Sequence, residues 1–152
     1  HIRRLANESG ASGELSAVAD SDNWYRRPKG NELKILLEVL LEKGISIKAR
    51  SFDAISLPSG FSVDFSDRES IASNFDDMCF IEIKTASQNR VKSDFSGFFF
   101  ALTENEIMAS KALGERHRVA LYNKHTGNIV LTTVSKILDD AKSTTWQVSV
   151  QL

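Results

Sequence analysis

This 152-residue chain is poor in the residues that would commit it to a covalent scaffold or to a membrane. It has one cysteine, Cys79, so an internal disulfide and a cysteine-caged zinc are both excluded, and a reducing, cytoplasmic setting is the default expectation. No secretory apolar core and no run near the roughly twenty apolar residues of a membrane helix is present, so no membrane partner is expected. Charge of one sign is also lacking. Nineteen Lys and Arg stand against twenty Asp and Glu, for a net charge of −1, so a polyanion would have to be held by local clusters. Glycine-rich phosphate loops of the G-x-x-x-x-G-K-[ST] and G-x-G-x-x-G types are missing, which argues against ATP or dinucleotide binding by those means. A Gly-x-Ser-x-Gly elbow is absent too. His117 and His125 show no nucleophile pairing, so acyl transfer is not expected.

The sequence does have the balance of a single globular domain: 41% apolar and 26% charged residues, enough to close one core. Residues 1–30 are rich in small and polar types and read as an N-terminal arm or linker. Trp24 and Tyr25, beside Arg26, Arg27 and Lys29, either anchor that arm to the domain or stack on a nucleic-acid strand. From residue 31 to 43, apolar residues at 33, 36, 37, 40 and 41 give one helical face, with Asn31 as a candidate N-cap, Glu32 in the first turn and Gly44 as the stop. ISIKAR and FDAISLP alternate as strands do, and Pro58, Ser59 and Gly60 signal a turn. FSVDFSDRESIASNFDDM is polar and acidic, an insertion or long loop with a strand at its start, and CFIEIKTA then returns to strand character. Thr103 and Glu106 form the S/T-x-x-E capping pattern ahead of a helix over 104–113 that Gly114 ends. RVALYNKHTGNIVLTTV reads as a hairpin around Thr126 and Gly127, followed by a short helix near 135–141 and a last strand, TWQVSVQL. The triplet Phe98, Phe99, Phe100 is expected in the core.

Glu82 and Lys84, two apart on a strand, leave the same face of the sheet. Such a pair is often a solvent-facing ladder of little energetic weight. It also suits phosphodiester hydrolysis, with the carboxylate helping to hold a divalent cation and the lysine orienting the attacking water or offsetting charge in the transition state. A cation such as Mg²⁺ needs further oxygen ligands. Asp53, at the start of FDAISLP, is the leading candidate, and Glu32 is a third. Asp64 competes with Asp53, since FSVDF could pair with CFIEIK; Asp67 is a weaker rival, and Asp76 and Asp77 stand too close before Glu82.

The arrangement resembles the PD-(D/E)XK nuclease superfamily, and in layout archaeal Holliday-junction resolvases and the nuclease-like domains of restriction and repair proteins. In these an acidic residue opens the first helix, an aspartate begins the second core strand, and a D/E-x-K triplet lies on the third. NELKILLEVLLEKGISIKAR, FDAISL and IEIKT match that order, and the resemblance spans roughly residues 31 to 123. Phe52 stands where a proline usually precedes the aspartate, and the interval from Asp53 to Glu82 is long for the family, which leaves Asp53 and Asp64 both open.

The resemblance implies an α/β domain over 31–152, a three-layered α/β/α restriction-endonuclease-like fold with a mixed central sheet. It further implies a Mg²⁺-dependent endonuclease, with Mn²⁺ able to substitute, that hydrolyses DNA. Asp53 and Glu82 would hold the metal, Lys84 would position the water and Glu32 would assist. Gln88 either matches a glutamine that some members use to contact substrate or water or is a polar loop residue, and Arg90 and Lys92, with Lys84 and Lys111, read either as a rim that would meet the nucleic acid or as a solvated basic loop. RNA is an open alternative to DNA. The chain opens on His1 and not Met, as an appended leftover residue, a processed precursor or a piece of a longer protein would each give; a domain of a larger restriction, repair or mobile-element protein, with other domains or a second copy as partners, is one of these expectations. The rival expectation is a nuclease-like module that no longer cuts and serves nucleic-acid binding or protein docking.

Overall fold

The structure, a computed structural model, describes residues 22–87, 89, 91–92 and 94–152. The described residues fold as an α/β domain on a five-stranded mixed sheet. Strands β1 (Asp22–Arg26), β2 (Ala54–Pro58), β3 (Cys79–Ala86), β4 (His117–Asn123) and β5 (Ile129–Thr132) lie side by side in sequence order. Among the described residues only the β3–β4 pair is parallel; the others are antiparallel.

Helix α1 (Gly30–Glu42) matches the helix read from its apolar spacing, with Leu36, Val39 and Leu40 buried. Its N-cap is Lys29, in extended conformation and without a capping side chain, so Asn31 does not cap it. Gly44, at φ +83°, lets Ile45 N–H reach the Leu40 carbonyl at 2.9 Å and its own N–H reach that of Leu41 at 2.9 Å, a Schellman closure.

The first strand is not where alternation placed it. ISIKAR forms no strand: residues 45–48 are irregular and Ala49–Ser51 is a short 3₁₀ turn. The edge position belongs instead to Asp22–Arg26, within the stretch read as an arm, so the sheet begins before residue 31 and before α1. Trp24 is buried there against Ala54, Ile81 and Ala120, and Tyr25 meets Phe65 edge-on. FSVDF is not a strand either. The acidic stretch instead holds α2 (Arg68–Asn74), capped by the Asp67 carboxylate, which accepts from Glu69 N–H at 3.0 Å. Arg68 ties α2 to α1 through Glu38 and Glu42.

Helix α3 (Glu104–Leu113) carries the expected reciprocal cap: Glu106 N–H donates to Thr103 Oγ1 at 3.2 Å, and Thr103 N–H to Glu106 Oε1 at 3.1 Å. It forms the crossover that makes β4 parallel to β3. In the hairpin to β5, Gly127 takes φ +75° and the Asn123 side chain accepts from the backbone of His125 and Thr126. Helix α4 (Val134–Asp140) follows, capped by Thr133. TWQVSVQL is not a strand; residues 141–152 are all exposed and irregular. Phe98, Phe99 and Phe100 also leave the core, since Phe99 is exposed and its neighbours are half-buried, with the rings of Phe98 and Phe100 4.7 Å apart.

One face of the sheet packs Ile55, Leu57 and Phe80 against α1 and against Ala109 and Leu113 of α3. The opposite face carries Trp24, Ala54, Ile81 and Ala120. Strands β2 and β3 are therefore buried on both faces. No helix among the described residues is long and apolar enough to cross a membrane.

Candidate functional site

Alternation along β3 sends Phe80, Glu82 and Lys84 to the α3 face, opposite His117, Val119 and Leu121 of β4 in register. The sheet thus carries a carboxylate into a nearly closed interior: Glu82 is 6% exposed. Lys84 Nζ lies 3.4 Å from Glu82 Oε1 and 2.9 Å from Glu106 Oε1, reaching up to the first turn of α3. Glu106 is 4% exposed, and its Oε1 accepts from both Lys84 and Thr103 N–H. The helix N-terminus favours a carboxylate at that position.

Asp53 joins from the neighbouring strand. It directly precedes Ala54, which pairs with Ile81, so the antiparallel register brings Asp53 opposite Glu82. Its N–H donates to the Ile81 carbonyl at 2.8 Å, and its Oδ2 accepts from Ile83 N–H at 2.8 Å. One backbone and one side-chain hydrogen bond to β3 thereby hold this half-buried residue beside the Glu-x-Lys pair.

Three carboxylates and one ammonium in a shielded space leave an excess of negative charge. The Glu82 carboxyl is pushed up to about 8, first by burial, then by the charges of Asp53 and Glu106 and a hydrogen bond shared with Glu106, against the opposing pull of Lys84. Its Oε2 is buried without a hydrogen-bond partner. His117 borders the same cluster. Its Nε2 lies 3.0 Å from the Ser51 carbonyl, which can only accept, so this nitrogen carries the proton and Nδ1 is left buried without a partner. Burial holds the imidazole below its ordinary pKa, against the Ser51 hydrogen bond and the Glu106 charge.

Of the residues singled out in the sequence, Asp53, Glu82 and Lys84 meet. Glu32 does not join them: it is exposed in the first turn of α1, and the charges acting on Glu82 are those of Asp53, Glu106 and Lys84. Asp64 is not a rival for Asp53, because it is exposed in a turn where Ser66 donates to its Oδ1 from both N–H at 2.9 Å and Oγ at 2.6 Å. Those bonds hold its carboxyl below the usual range. Gln88 and Arg90 lie outside the described residues. Lys92 is exposed on a loop docked at Asn123, whose register partner Ala86 is two residues beyond Lys84.

Glu106 was missed as a site residue because its capping role already accounts for it. The available signal was a capping glutamate one crossover away from a Glu-x-Lys strand, since the crossover returns α3 over that strand.

The donors present suit a divalent cation of the Mg²⁺ type. An orphaned carboxylate oxygen beside two further carboxylates is the electrostatic situation that a cation relieves. Among the described residues no three His, Cys, Asp or Glu side chains close into a cage of their own. Mg²⁺ does not require one, as it commonly takes one or two carboxylates and completes its shell with waters and phosphate oxygens. Comparison with protein-family models, with curated proteins and with solved structures gives no match to this chain, so its functional reading rests on these residues alone.

Proposed function

We propose that this domain is a metal-dependent endonuclease of the PD-(D/E)XK type, hydrolysing DNA phosphodiester bonds as a restriction-endonuclease-like module in the cytoplasm. The observation that carries the reading is the meeting of Asp53, at the mouth of the second strand, with Glu82 and Lys84 on the third. Asp53 and Glu82 would hold Mg²⁺, or Mn²⁺ in its place. A bound ion would supply Lewis-acid chemistry at the phosphoryl oxygen. Lys84 would orient the attacking water and offset charge on the phosphorane-like transition state. Glu106 holds the ammonium from behind, and exposed Lys92 offers a phosphate contact at the end of the strand.

Plasmid DNA with Mg²⁺ tests it. The parent chain should nick or linearise the plasmid, while Glu82→Ala and Lys84→Ala should each lose at least about a hundredfold in rate, the usual scale for such a group. Parent-level cutting by either variant sinks the assignment.

A second reading has its own support: Asp53 Oδ2 is engaged by the Ile83 amide and Lys84 by Glu106, as in a site retained for structure only. In that case the domain binds nucleic acid or docks on a protein without cutting. Thermal melts in millimolar Mg²⁺ or Mn²⁺ separate the two, because a metal that binds only the folded state raises Tm. Melts unchanged by either ion favour the non-cutting module.

A further inference from the structure

Residues 143–152, STTWQVSVQL, contain no charged residue, no proline and no glycine, in a chain of which 26% is charged. Over 145–152 apolar and polar residues alternate strictly, so an extended backbone puts Trp146, Val148, Val150 and Leu152 on one side and Thr145, Gln147, Ser149 and Gln151 on the other. Such a pattern belongs to a strand half-buried on a sheet. Here it lies on nothing: Trp146 is 91% exposed, Val148 84% and Val150 76%, and Leu152 is fully exposed. Four large apolar side chains exposed this close together mark a surface that another surface covers.

The same chain carries a matching edge. Strand β5 is the last strand of the sheet among the described residues, and its free side presents IVLT, with Val130 and Leu131 both exposed. It lacks the charges, prolines and bulges by which edge strands ordinarily resist pairing. Eight extended residues reach about 26 Å, against about 13 Å for the four residues of β5, so the segment can cover that edge and run past it.

We infer that residues 145–152 add as an extra strand to the β5 edge of a second copy of this chain, in a reciprocal exchange that builds a two-fold dimer. The segment leaves its own domain after α4 with every residue from 141 exposed, so a neighbouring copy is the surface that it is free to meet. Backbone hydrogen bonds to β5 supply affinity, and the stripe headed by Trp146 supplies apolar burial, about 150–250 Å² from an indole alone. Reciprocity doubles both, since a two-fold axis makes each copy donor and acceptor at once. The exchange does not depend on the nuclease reading.

Light scattering of the 152-residue chain eluting from a sizing column tests the inference, with Trp146→Asp/Val148→Asp as the donor-blocked variant and Val130→Lys/Leu131→Lys as the edge-blocked one. The parent should be a dimer, and each variant should self-associate at least about thirtyfold more weakly, the effect of losing one interface hot spot. Mixed together, the two variants should form a one-to-one heterodimer, because one copy keeps the edge and the other keeps the segment. A parent that stays monomeric at all concentrations overturns the inference, and so does a donor-blocked variant as dimeric as the parent. Should the far-UV spectrum of the aspartate variant report unfolding, Trp146→Gln/Val148→Thr reads the same shift without added charge.

Discussion

Phe80 and Glu82 stand two residues apart on one face of β3, and both are nearly inaccessible to solvent. The Phe80 ring meets Phe52 edge-on at 5.1 Å, within the cluster beneath α1 and α3. Burying it stabilises the fold by about 1.5–3 kcal/mol through apolar area alone. Glu82 lies among Asp53, Lys84 and Glu106 with one oxygen unpartnered, where burial opposes the charged form. A single strand therefore holds one residue that supports the fold and one that strains against it. The burial of Glu82 among charged neighbours, more than the Glu-x-Lys spacing, is what sets this part of β3 apart from an ordinary strand.

The contrast is broken most directly at Phe80. Phe80→Ala removes a well-packed aromatic ring and should lower unfolding free energy by about 3–5 kcal/mol, read from urea titration. If the loss is below about 1 kcal/mol, this part of β3 is not the packed half and the comparison collapses. On the charged half, Lys84→Met leaves Glu82 and Glu106 without their shared counter-ion. With one partner of a shielded ion pair gone, the chain should lose about 3 kcal/mol near pH 8, where Glu82 ionises. The share of that loss owed to Glu82 should disappear at pH 5, because there the protonated Glu82 needs no cation, while the share owed to the lost contact with Glu106 remains.

The pH profile of the parent sharpens the same point. The Glu82 carboxyl, at about 8 in the folded chain against an ordinary 4.5, keeps its proton through a window in which the unfolded chain has released it. Stability should thus be highest below about 4.5, as far as this group is concerned, and should fall as pH rises towards 8. Glu82→Gln, which cannot ionise, should flatten that slope and exceed the parent in Tm at pH 8. A parent whose Tm rises between pH 5 and pH 8 while the Gln variant tracks it would place the carboxylate outside the shielded cluster.

How far this arrangement was legible in the sequence depended on whether a signal was local. The apolar spacing of α1, the Gly44 stop, the Thr103–Glu106 cap and the hairpin around Gly127 each depend on residues a few positions apart, and each is present. Strand pairing is not local. ISIKAR alternates without becoming a strand, while DNWYR, with a weaker pattern, pairs along all five of its residues with β2. Alternation reports fitness for a sheet, and only the tertiary fold provides the partner. The choice between Asp53 and Asp64 turned on the same matter, since FSVDF lacks the pairing that would have brought Asp64 to Glu82. Glu106 was hidden for the opposite reason, because its local pattern had an adequate explanation in capping.

That double role gives the smallest expected effect and the finest distinction. Thr103→Ala deletes the hydroxyl that accepts from Glu106 N–H, and as a helix cap alone it should cost about 1 kcal/mol. The Thr103 backbone N–H, which donates to Glu106 Oε1, remains in the alanine variant, so the carboxylate keeps both of its anchors, this N–H and the Lys84 ammonium. The pH dependence of stability should therefore be unchanged in slope and displaced downward as a whole. Glu106→Gln, by contrast, preserves a side-chain acceptor for the cap but removes a charge that helps raise Glu82, so its profile should flatten. Parallel profiles for both variants would reduce Glu106 to a capping residue; divergent ones would tie it electrostatically to the buried half of β3.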